Sequence, residues 1–445
     1  MTPVALALAE RAVPRYTSYP TAPHFAPAVD AAVYCHWLDA LPEAAPVSLY
    51  IHVPYCAELC LYCGCHTKAI RREEPLEAYA ELLAREIGLV ANRIGRRRVL
   101  NLHWGGGTPS VLGETRLAWL AALLRATFDL DGMIEHAVEL DPRRTTRALV
   151  GALADMGVNR VSLGVQDFSD HVQAAIGRIQ SFGEVEEVVG LLRDAGIAAI
   201  NFDLMYGLPR QHEDDVRRTV ALAHALRPSR LALFGYTHVP WFKSQQKLID
   251  ASTLPGVAER FAQAAAAREM LTGFGYTGIG IDHFADPHDS LARAAKDGCL
   301  RRNFQGYTVD AADALIGFGA SAIGRLPQGF AQNASGAGAY ARATTAGAFA
   351  TARGIALSAD DRVRGHIIER LMCDSCVDLA ACPGTAPVDF TPEIEALQPL
   401  RGEGLVAIEG TRIAMTARGL PFVRLAAATF DAYLGNGAAR HSRAV

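Results

Sequence analysis

Residues 48–65 read Ser-Leu-Tyr-Ile-His-Val-Pro-Tyr-Cys-Ala-Glu-Leu-Cys-Leu-Tyr-Cys-Gly-Cys. The first eight, Ser48–Tyr55, form an apolar strand-like run. The next ten hold four cysteines, Cys56, Cys60, Cys63 and Cys65, as CxxxCxxC with one more thiol two residues on. Three thiolates on so short a loop can converge on one cubane iron–sulfur cluster. Its fourth iron then lacks a protein ligand and can bind an outside molecule. Ferredoxin-type clusters close all four positions with cysteine and only pass electrons, so an open iron implies chemistry. Zinc sites pair two CxxC or CxxH knuckles across a longer loop; His66 adjoins Cys65, but no second knuckle follows within reach. A disulfide framework fits poorly in a long chain without a secretory signal.

Outward from that strand, residues 46–285 alternate strand-like runs with amphipathic helical stretches. Strands are expected at Val99–Trp104, His136–Leu140, Arg160–Gln166, Ala198–Met205, Arg230–Tyr236 and Gly278–His283. Helices are expected at Leu76–Ile94, Arg116–Phe128, Thr146–Met156, Gly183–Ala195, Glu213–Leu226 and Val257–Phe274. Such alternation gives βαβ units and a parallel sheet. Six or more units in series favour a curved barrel, complete or partial, with reactive groups at the C-terminal ends of the strands. The cysteine loop, Gly105-Gly106-Gly107-Thr108-Pro109, Glu139, Asp141, Gln166, Asp203 and Tyr236 to His238 would all line one mouth.

Residues 301–324 read as loop plus a strand or two, and 334–352 as helix and linker. Beyond Ser358, helices are expected at Asp360–Met372 and Leu420–Leu434, with a hairpin of Gly404–Ile408 and Thr411–Met415. This resembles a winged-helix-like module, but no basic stripe accompanies it, so it reads as a lid or packing unit. The chain has 445 residues, half of them hydrophobic, and a formal net charge of −4. These values give no support to a nucleic-acid or membrane-surface role. No apolar run reaches membrane-spanning length, and the expected compartment is cytoplasmic and reducing.

Three glycines after a strand let a ligand approach the backbone and leave N–H groups available, or make a tight turn. Thr108 then Pro109 reads as an N-cap and first helical residue. Glu139 and Asp203 are candidate acceptors for ribose hydroxyls or an ammonium group, though each alone reads equally as a scaffold residue. Gln166 and Arg178 are weak signals singly, and Arg178 reads equally as a solvated surface charge. Cys373, Cys376 and Cys382 read as core cysteines of the C-terminal unit rather than a second metal site; Cys35 and Cys299 read as ordinary buried thiols.

The cysteine loop resembles that of the radical S-adenosylmethionine enzymes. Within them the chain resembles the oxygen-independent coproporphyrinogen III oxidase family nearly end to end. The resemblance rests on Arg15-Tyr-Thr-Ser-Tyr-Pro-Thr21, Tyr50-Ile-His-Val-Pro54, the CGC ending at Cys65 and His103-Trp-Gly-Gly-Gly-Thr-Pro109. It continues through Gly164-Val-Gln-Asp-Phe168, Asp203-Leu-Met-Tyr-Gly-Leu-Pro209, Ile281-Asp-His-Phe284 and Arg302-Asn-Phe-Gln-Gly-Tyr307. It implies an α/β fold, a partial (β/α)6 TIM-type barrel of the radical S-adenosylmethionine kind, with a mostly helical C-terminal domain. Residues 1–30 would close the active-site cleft, 31–340 form the catalytic domain and 341–445 the C-terminal domain.

The resemblance further implies that Cys56, Cys60 and Cys63 ligate a 4Fe–4S cluster whose open iron binds S-adenosylmethionine. Tyr50, Gly106, Glu139 and Ile323 would surround that molecule. Tyr62, Gly107, Thr108, Gln166, Arg178, Asp203 and Thr237 would contact a second S-adenosylmethionine, with Cys65 nearby. Phe304 and Gln305 match positions needed for activity. Thr237 stands where alanine is expected, the segment before Arg15 is short, and Cys376 and Cys382 are not part of the pattern. The implied reaction converts two propionates of coproporphyrinogen III to vinyl groups, giving protoporphyrinogen IX. Arg15 and Arg302 are candidates to pair with substrate carboxylates. A flavodoxin or ferredoxin would supply electrons, no nucleic acid or membrane partner is implied, and a monomer is expected. The rival readings are a haem chaperone, which typically lacks both RYTSYPT and the CGC ending, a radical methyltransferase or haem-degrading relative, and an electron-transfer module.

Overall fold

The computed structural model describes residues 2–383 and 389–435; residues 384–388 and 436–445 of the expected C-terminal domain lie outside that description. Six parallel strands stand side by side in chain order: β1 (Val47–Val53), β2 (Val99–Gly106), β3 (Glu135–Leu140), β4 (Arg160–Gln166), β5 (Ala199–Tyr206) and β6 (Arg230–Gly235). Each crossover contains helix, because a parallel neighbour requires the chain to return to the starting end of the sheet. The six expected helices all form within a few residues of their predicted bounds, and Asp170–Ile176 is an additional short one.

The sheet continues through β7 (Thr277–Ile279), β8 (His283–Ala285), β9 (Ala314–Phe318), β10 (Ile323–Leu326), β11 (Gly329–Asn333) and β12 (Thr351–Ala356). Its order is β12-β11-β10-β9-β1-β2-β3-β4-β5-β6-β8-β7, and the two ends do not pair. The result is a partial barrel. β9 runs parallel to β1, while the outer strands on both flanks are antiparallel.

Three expectations for residues 278–356 need correction. The single strand expected at Gly278–His283 is a hairpin, β7 and β8, turned at Gly280 with φ +54°. Residues 301–324 hold more strand than expected: a hairpin of Arg301–Asn303 and Gly306–Thr308, then β9 and the start of β10. The division expected after residue 340 falls inside the helix Ala337–Thr345, and β12 beyond it still pairs with β11 of the main sheet.

Side-chain alternation along the strands separates two faces. On β1, Val47, Leu49, Ile51 and Val53 are buried with Trp104, Leu163 and Phe202 in one large apolar core. Fully burying each such side chain stabilises the fold by about 1.5–3 kcal/mol. The alternate positions are polar: Ser48, Tyr50 and His52 on β1, Asn101 and His103 on β2, Glu139 on β3, Ser162 on β4, Asn201 and Asp203 on β5. They bond to one another, as where Asn201 Nδ2 donates to Ser162 Oγ at 2.7 Å and to Asp203 Oδ1 at 2.9 Å. A sheet face this polar serves a site rather than a core.

The C-terminal unit starts at Ser358, whose hydroxyl caps the helix Ala359–Asp374 by accepting from Asp361 N at 3.0 Å. Its three strands are Cys376–Asp378, Val406–Glu409 and Arg412–Met415, the last two being the expected hairpin. The long helix expected at Leu420–Leu434 is a short turn of helix at Leu420–Phe422 followed by Val423–Ala428. Beyond it, Asp431 accepts from Tyr16 OH at 3.0 Å and from Tyr433 N at 2.9 Å. The N-terminal segment packs into this unit, burying Leu8, Val13, Tyr16 and Tyr19 beside Ile367, Leu371 and Phe430. No helix among the described residues is long and apolar enough to cross a membrane.

Candidate active site

The triple glycine at the end of β2 is held by geometry. A Cβ on Gly106, at φ +108°, would lie 2.5 Å from the His52 ring, and one on Gly107 2.4 Å from the Tyr55 carbonyl. The backbone N–H groups, expected to be available, are engaged instead. Gly106 N donates to Glu139 Oε2 at 3.2 Å, Gly107 N to Val53 O at 2.8 Å and Thr108 N to Tyr55 O at 2.8 Å. The motif therefore clamps the end of β1 against β2, and its amides are engaged within the protein. Thr108 precedes the short helix Pro109–Leu112 without capping it through its side chain; its hydroxyl donates to Cys56 Sγ at 3.4 Å.

Every thiol of the CxxxCxxC array receives hydrogen bonds. Cys56 Sγ also meets Thr67 Oγ1 at 3.2 Å. Cys60 is buried and accepts from Arg178 Nη1 at 3.5 Å and Arg143 Nη2 at 3.9 Å. Cys63 accepts from the Cys65 amide at 3.4 Å. Hydrogen bonds from the Cys65 thiol and amide, with the Lys243 and Arg178 charges, bring Cys63 down to about 7. Cys65 is pushed up, chiefly because its thiol shares its proton with Cys63. Of the two, Cys63 gives up its proton more readily. Among the described residues no three His, Cys, Asp or Glu side chains converge as a single ion requires. A cluster has no such need, because each thiolate binds its own iron.

Arg178, read equally as a surface charge, is buried. Its Nη2 donates to Gly164 O at 2.6 Å and to Asp141 Oδ1 at 3.2 Å, while its Nε is buried without an acceptor among the described residues. Asp141 also pairs with Arg143 at 2.6 Å. These contacts and burial act oppositely on Asp141, and the arginines hold its carboxyl below the usual range. Gln166 closes β4 at φ +69°, a left-handed conformation costly for a non-glycine residue and concentrated at functional sites. Glu139 bonds His103 Nε2 at 3.1 Å, and Tyr50 stacks on His103 with its hydroxyl 3.0 Å from His52 Nδ1. Tyr50 also pairs across the sheet with Gly317, whose Cβ would lie 2.9 Å from the Ile323 backbone. Burial, then the Glu139 charge, raises the Asp203 carboxyl to about 6.

Tyr62 and Thr237 are joined through a residue that the sequence did not single out. Gln246, fully buried, donates to Tyr62 O at 2.9 Å and to Thr237 O at 3.2 Å. Gln245 and Lys243 hold the carbonyls of Cys63 and Cys65, each at 2.7 Å. These residues carry no motif; only their place after β6 marks them. Phe304 and Gln305 sit at the tip of the hairpin that begins at Arg301. Phe304 packs edge-on to Phe330, and no hydrogen bond among the described residues joins either residue to the cysteine loop. Arg302 does not face outward to meet a carboxylate. It is buried, lies 4.3 Å over the Tyr307 ring and donates to Tyr16 O and Arg15 O. Cys373 is a buried core thiol, pushed up to about 12 by burial, while Cys35 is half-buried and Cys299 is exposed rather than buried.

Comparison with known proteins places this geometry. Residues 50–223 match the Radical SAM superfamily and residues 357–422 the HemN C-terminal domain. The oxygen-independent coproporphyrinogen III oxidase of Bradyrhizobium diazoefficiens is 49% identical over 446 residues, covering 99% of both chains. The chain belongs to the oxygen-independent coproporphyrinogen III oxidase family. The Pseudomonas aeruginosa member is 38% identical over 95% of this chain and 93% of its own. The solved coproporphyrinogen III oxidase (HemN) of Escherichia coli, described as a radical SAM enzyme, superposes with a TM-score of 0.90 at 35% identity, covering 94% of this chain and 98% of its own. Membership in this radical SAM family implies a 4Fe–4S cluster and S-adenosylmethionine. The donor set fits both: three hydrogen-bonded thiols at the strand ends, and a buried guanidinium nitrogen awaiting an acceptor beside them.

Proposed function

We propose that this chain carries out the oxygen-independent oxidative decarboxylation of two propionates of coproporphyrinogen III, giving protoporphyrinogen IX in porphyrin biosynthesis. The observation that carries the reading is a family match over 99% of the chain combined with three hydrogen-bonded thiols at the mouth of the partial barrel. Each propionate loses a β-hydrogen atom, carbon dioxide and one further electron to become a vinyl group. When bound, the cluster and S-adenosylmethionine supply a one-electron reductive cleavage and the hydrogen-atom abstraction that it enables.

The chain's own residues hold and orient. Cys56, Cys60 and Cys63 are the proposed cluster ligands, and Cys65 a neighbour of the site. Tyr50, Gly106, Glu139 and Ile323 surround the first S-adenosylmethionine in this reading. Tyr62, Gly107, Thr108, Gln166, Arg178, Asp203 and Thr237 contact a second, and Phe304 and Gln305 act on the substrate side. Gly106 and Gly107 contribute shape, since their amides are engaged. Residues 1–30 exclude water from the mouth, a role supported by Arg15 Nη2 donating to Gly235 O at 2.8 Å and Thr237 Oγ1 at 3.2 Å. Residues 31–340 form the catalytic domain, with β12 added to it, and the remainder packs on it. A flavodoxin or ferredoxin donates electrons to a cytoplasmic monomer.

Anaerobic incubation of the reduced, reconstituted protein with S-adenosylmethionine and coproporphyrinogen III tests the reading. A porphyrin product with two vinyl groups and two equivalents of carbon dioxide supports it. Tight haem binding without turnover would replace it with a chaperone.

A further inference from the structure

A cavity of about 1170 Å³ opens beyond Thr237, between the end of β6, the helix Val257–Gly273, the N-terminal segment and the C-terminal unit. It exceeds the ~300–1,000 Å³ of pockets for drug-sized ligands. Five arginines line it, Arg15, Arg260, Arg268, Arg418 and Arg424, against three carboxylates. Two of these, Glu10 and Glu269, are exposed, and the third, Asp282, is bonded to His283 at 2.7 Å. The rings of Trp241, Phe261, Phe284 and Phe422, with those of Tyr206 and Tyr236, complete the walls.

Among the described residues, three of these arginines have no carboxylate against them: neither Arg15, Arg268 nor Arg418 lies within 4 Å of one, and Arg418 is exposed without a hydrogen-bond partner. Arg268 donates only to the carbonyls of Gly280 at 3.3 Å and Ile281 at 3.1 Å, with its guanidinium over the Phe284 ring. Burial, then repulsion from Arg15, brings Arg424 down to about 9. Arginine forks match carboxylates in bidentate geometry, and aromatic walls suit the faces of a large ring.

We infer that this cavity binds the porphyrinogen through its propionate carboxylates, with Arg268 and Arg418 as receptors and the C-terminal unit thereby part of the substrate site. The inference rests on the proposed function. It also gives the C-terminal unit a task beyond packing, since Arg418 and Phe422 belong to that unit.

The test uses the cluster-containing protein under anaerobic conditions, with coproporphyrin III, the fluorescent oxidised tetracarboxylate, and its tetramethyl ester as probes. The parent is expected to bind the acid and not the ester. Arg418→Gln, at an exposed position, and Arg268→Gln should each weaken binding about tenfold and raise KM for coproporphyrinogen III correspondingly, with kcat within about threefold of the parent. Iron content should be unchanged. Unaltered affinity in Arg418→Gln and in the double variant, with iron intact, overturns the inference. If the parent still forms the divinyl product, the proposed function survives that result. If the parent neither binds the acid nor forms product, both fall together.

Discussion

Arg178 Nη1 lies 3.5 Å from Cys60 Sγ, so a buried cation meets the middle thiol of the cysteine loop. The same guanidinium reaches Asp141 and the Gly164 carbonyl, which links the loop after β1 to the ends of β3 and β4. Replacing Arg178 with glutamine removes the fork and leaves Asp141 leaning on Arg143 alone. Breaking a buried pair of this kind costs about 3–5 kcal/mol. The expected outcome is a lower melting temperature together with a more negative cluster midpoint, because a positive charge beside the thiolates is lost. Lysine keeps the charge but not the planar fork, so it should recover the midpoint in part and leave the melting temperature low. Unchanged melting and potential in both variants would remove Arg178 from the site.

The Cys63–Cys65 pair distinguishes the proposed ligand from its proposed neighbour. Cys63 is the proton acceptor of the two, and its lowered value suits metal binding, which needs the thiolate. Cys63→Ala should therefore abolish the visible absorption and iron content of the reconstituted protein, and Cys65→Ala should retain both. Loss of iron in Cys65→Ala would reverse the assignment.

Asp203 predicts a pH dependence of stability. Its carboxyl stands near 3.8 when unfolded and about 6 in the fold, raised by burial and then by Glu139. Ser162, Asn201 and His283 act in the lowering direction but do not outweigh burial. A raised folded value favours the protonated form, so the stabilising contribution is complete below about pH 4 and disappears as pH rises through 6. Relative to Asp203→Asn, the parent should lose melting temperature between pH 4 and pH 7. A difference that stays flat across that range would show that Asp203 keeps its ordinary value.

The N-terminal strap yields a graded pair of outcomes. Thr237→Ala deletes one hydrogen bond to Arg15, the other to Gly235 O remaining, and should cost about 0.5–1.5 kcal/mol. Deleting residues 2–19 uncovers Ile367, Leu371 and Phe430 and leaves Asp431 without the Tyr16 hydroxyl. Hydrogen exchange should then rise throughout the helix Ala359–Asp374 while the strands β1 to β5 stay protected. Uniform protection in the truncated chain would show that the strap does not support the C-terminal unit.

Much of this was legible in the sequence because strand and helix periods differ. Arg160–Gln166 is bounded as expected, since an apolar residue at every second position from Val161 to Val165 fixes both its type and its buried face. Glu139 and Asp203 were read as mouth candidates from their places near strand ends, and Tyr50 from the resemblance alone. What failed were features decided by tertiary contact. The hairpin of β7 and β8 depends on a left-handed Gly280 and on Leu233 N donating to Asp282 O at 2.7 Å, neither of which has a local pattern. The engaged amides of the triple glycine depend on Val53, Tyr55 and Glu139 arriving from elsewhere in the chain. The surroundings of Arg178 were left open and those of Arg302 misjudged, because charge alone does not reveal burial.

Gln246 was illegible for that reason too, and it supports the most exacting prediction. Its side chain accepts from Val239 N at 2.6 Å and donates to the carbonyls of Tyr62 and Thr237, so one amide joins the loop after β6 to the cysteine loop. It touches none of the four cysteine sulfurs. Truncation to alanine leaves these backbone groups without their partner, at about 1–3 kcal/mol for each group left unsatisfied. The loop Cys56–Cys65 should then lose its fixed path, and iron retention after reconstitution should fall although every proposed ligand is present. Gln246→Glu keeps the acceptor for Val239 N but replaces the donor to both carbonyls, so it should resemble alanine in iron content. If both variants hold iron as the parent does, the loop is set by its own turns and by Arg178, and the bridge from Gln246 is dispensable.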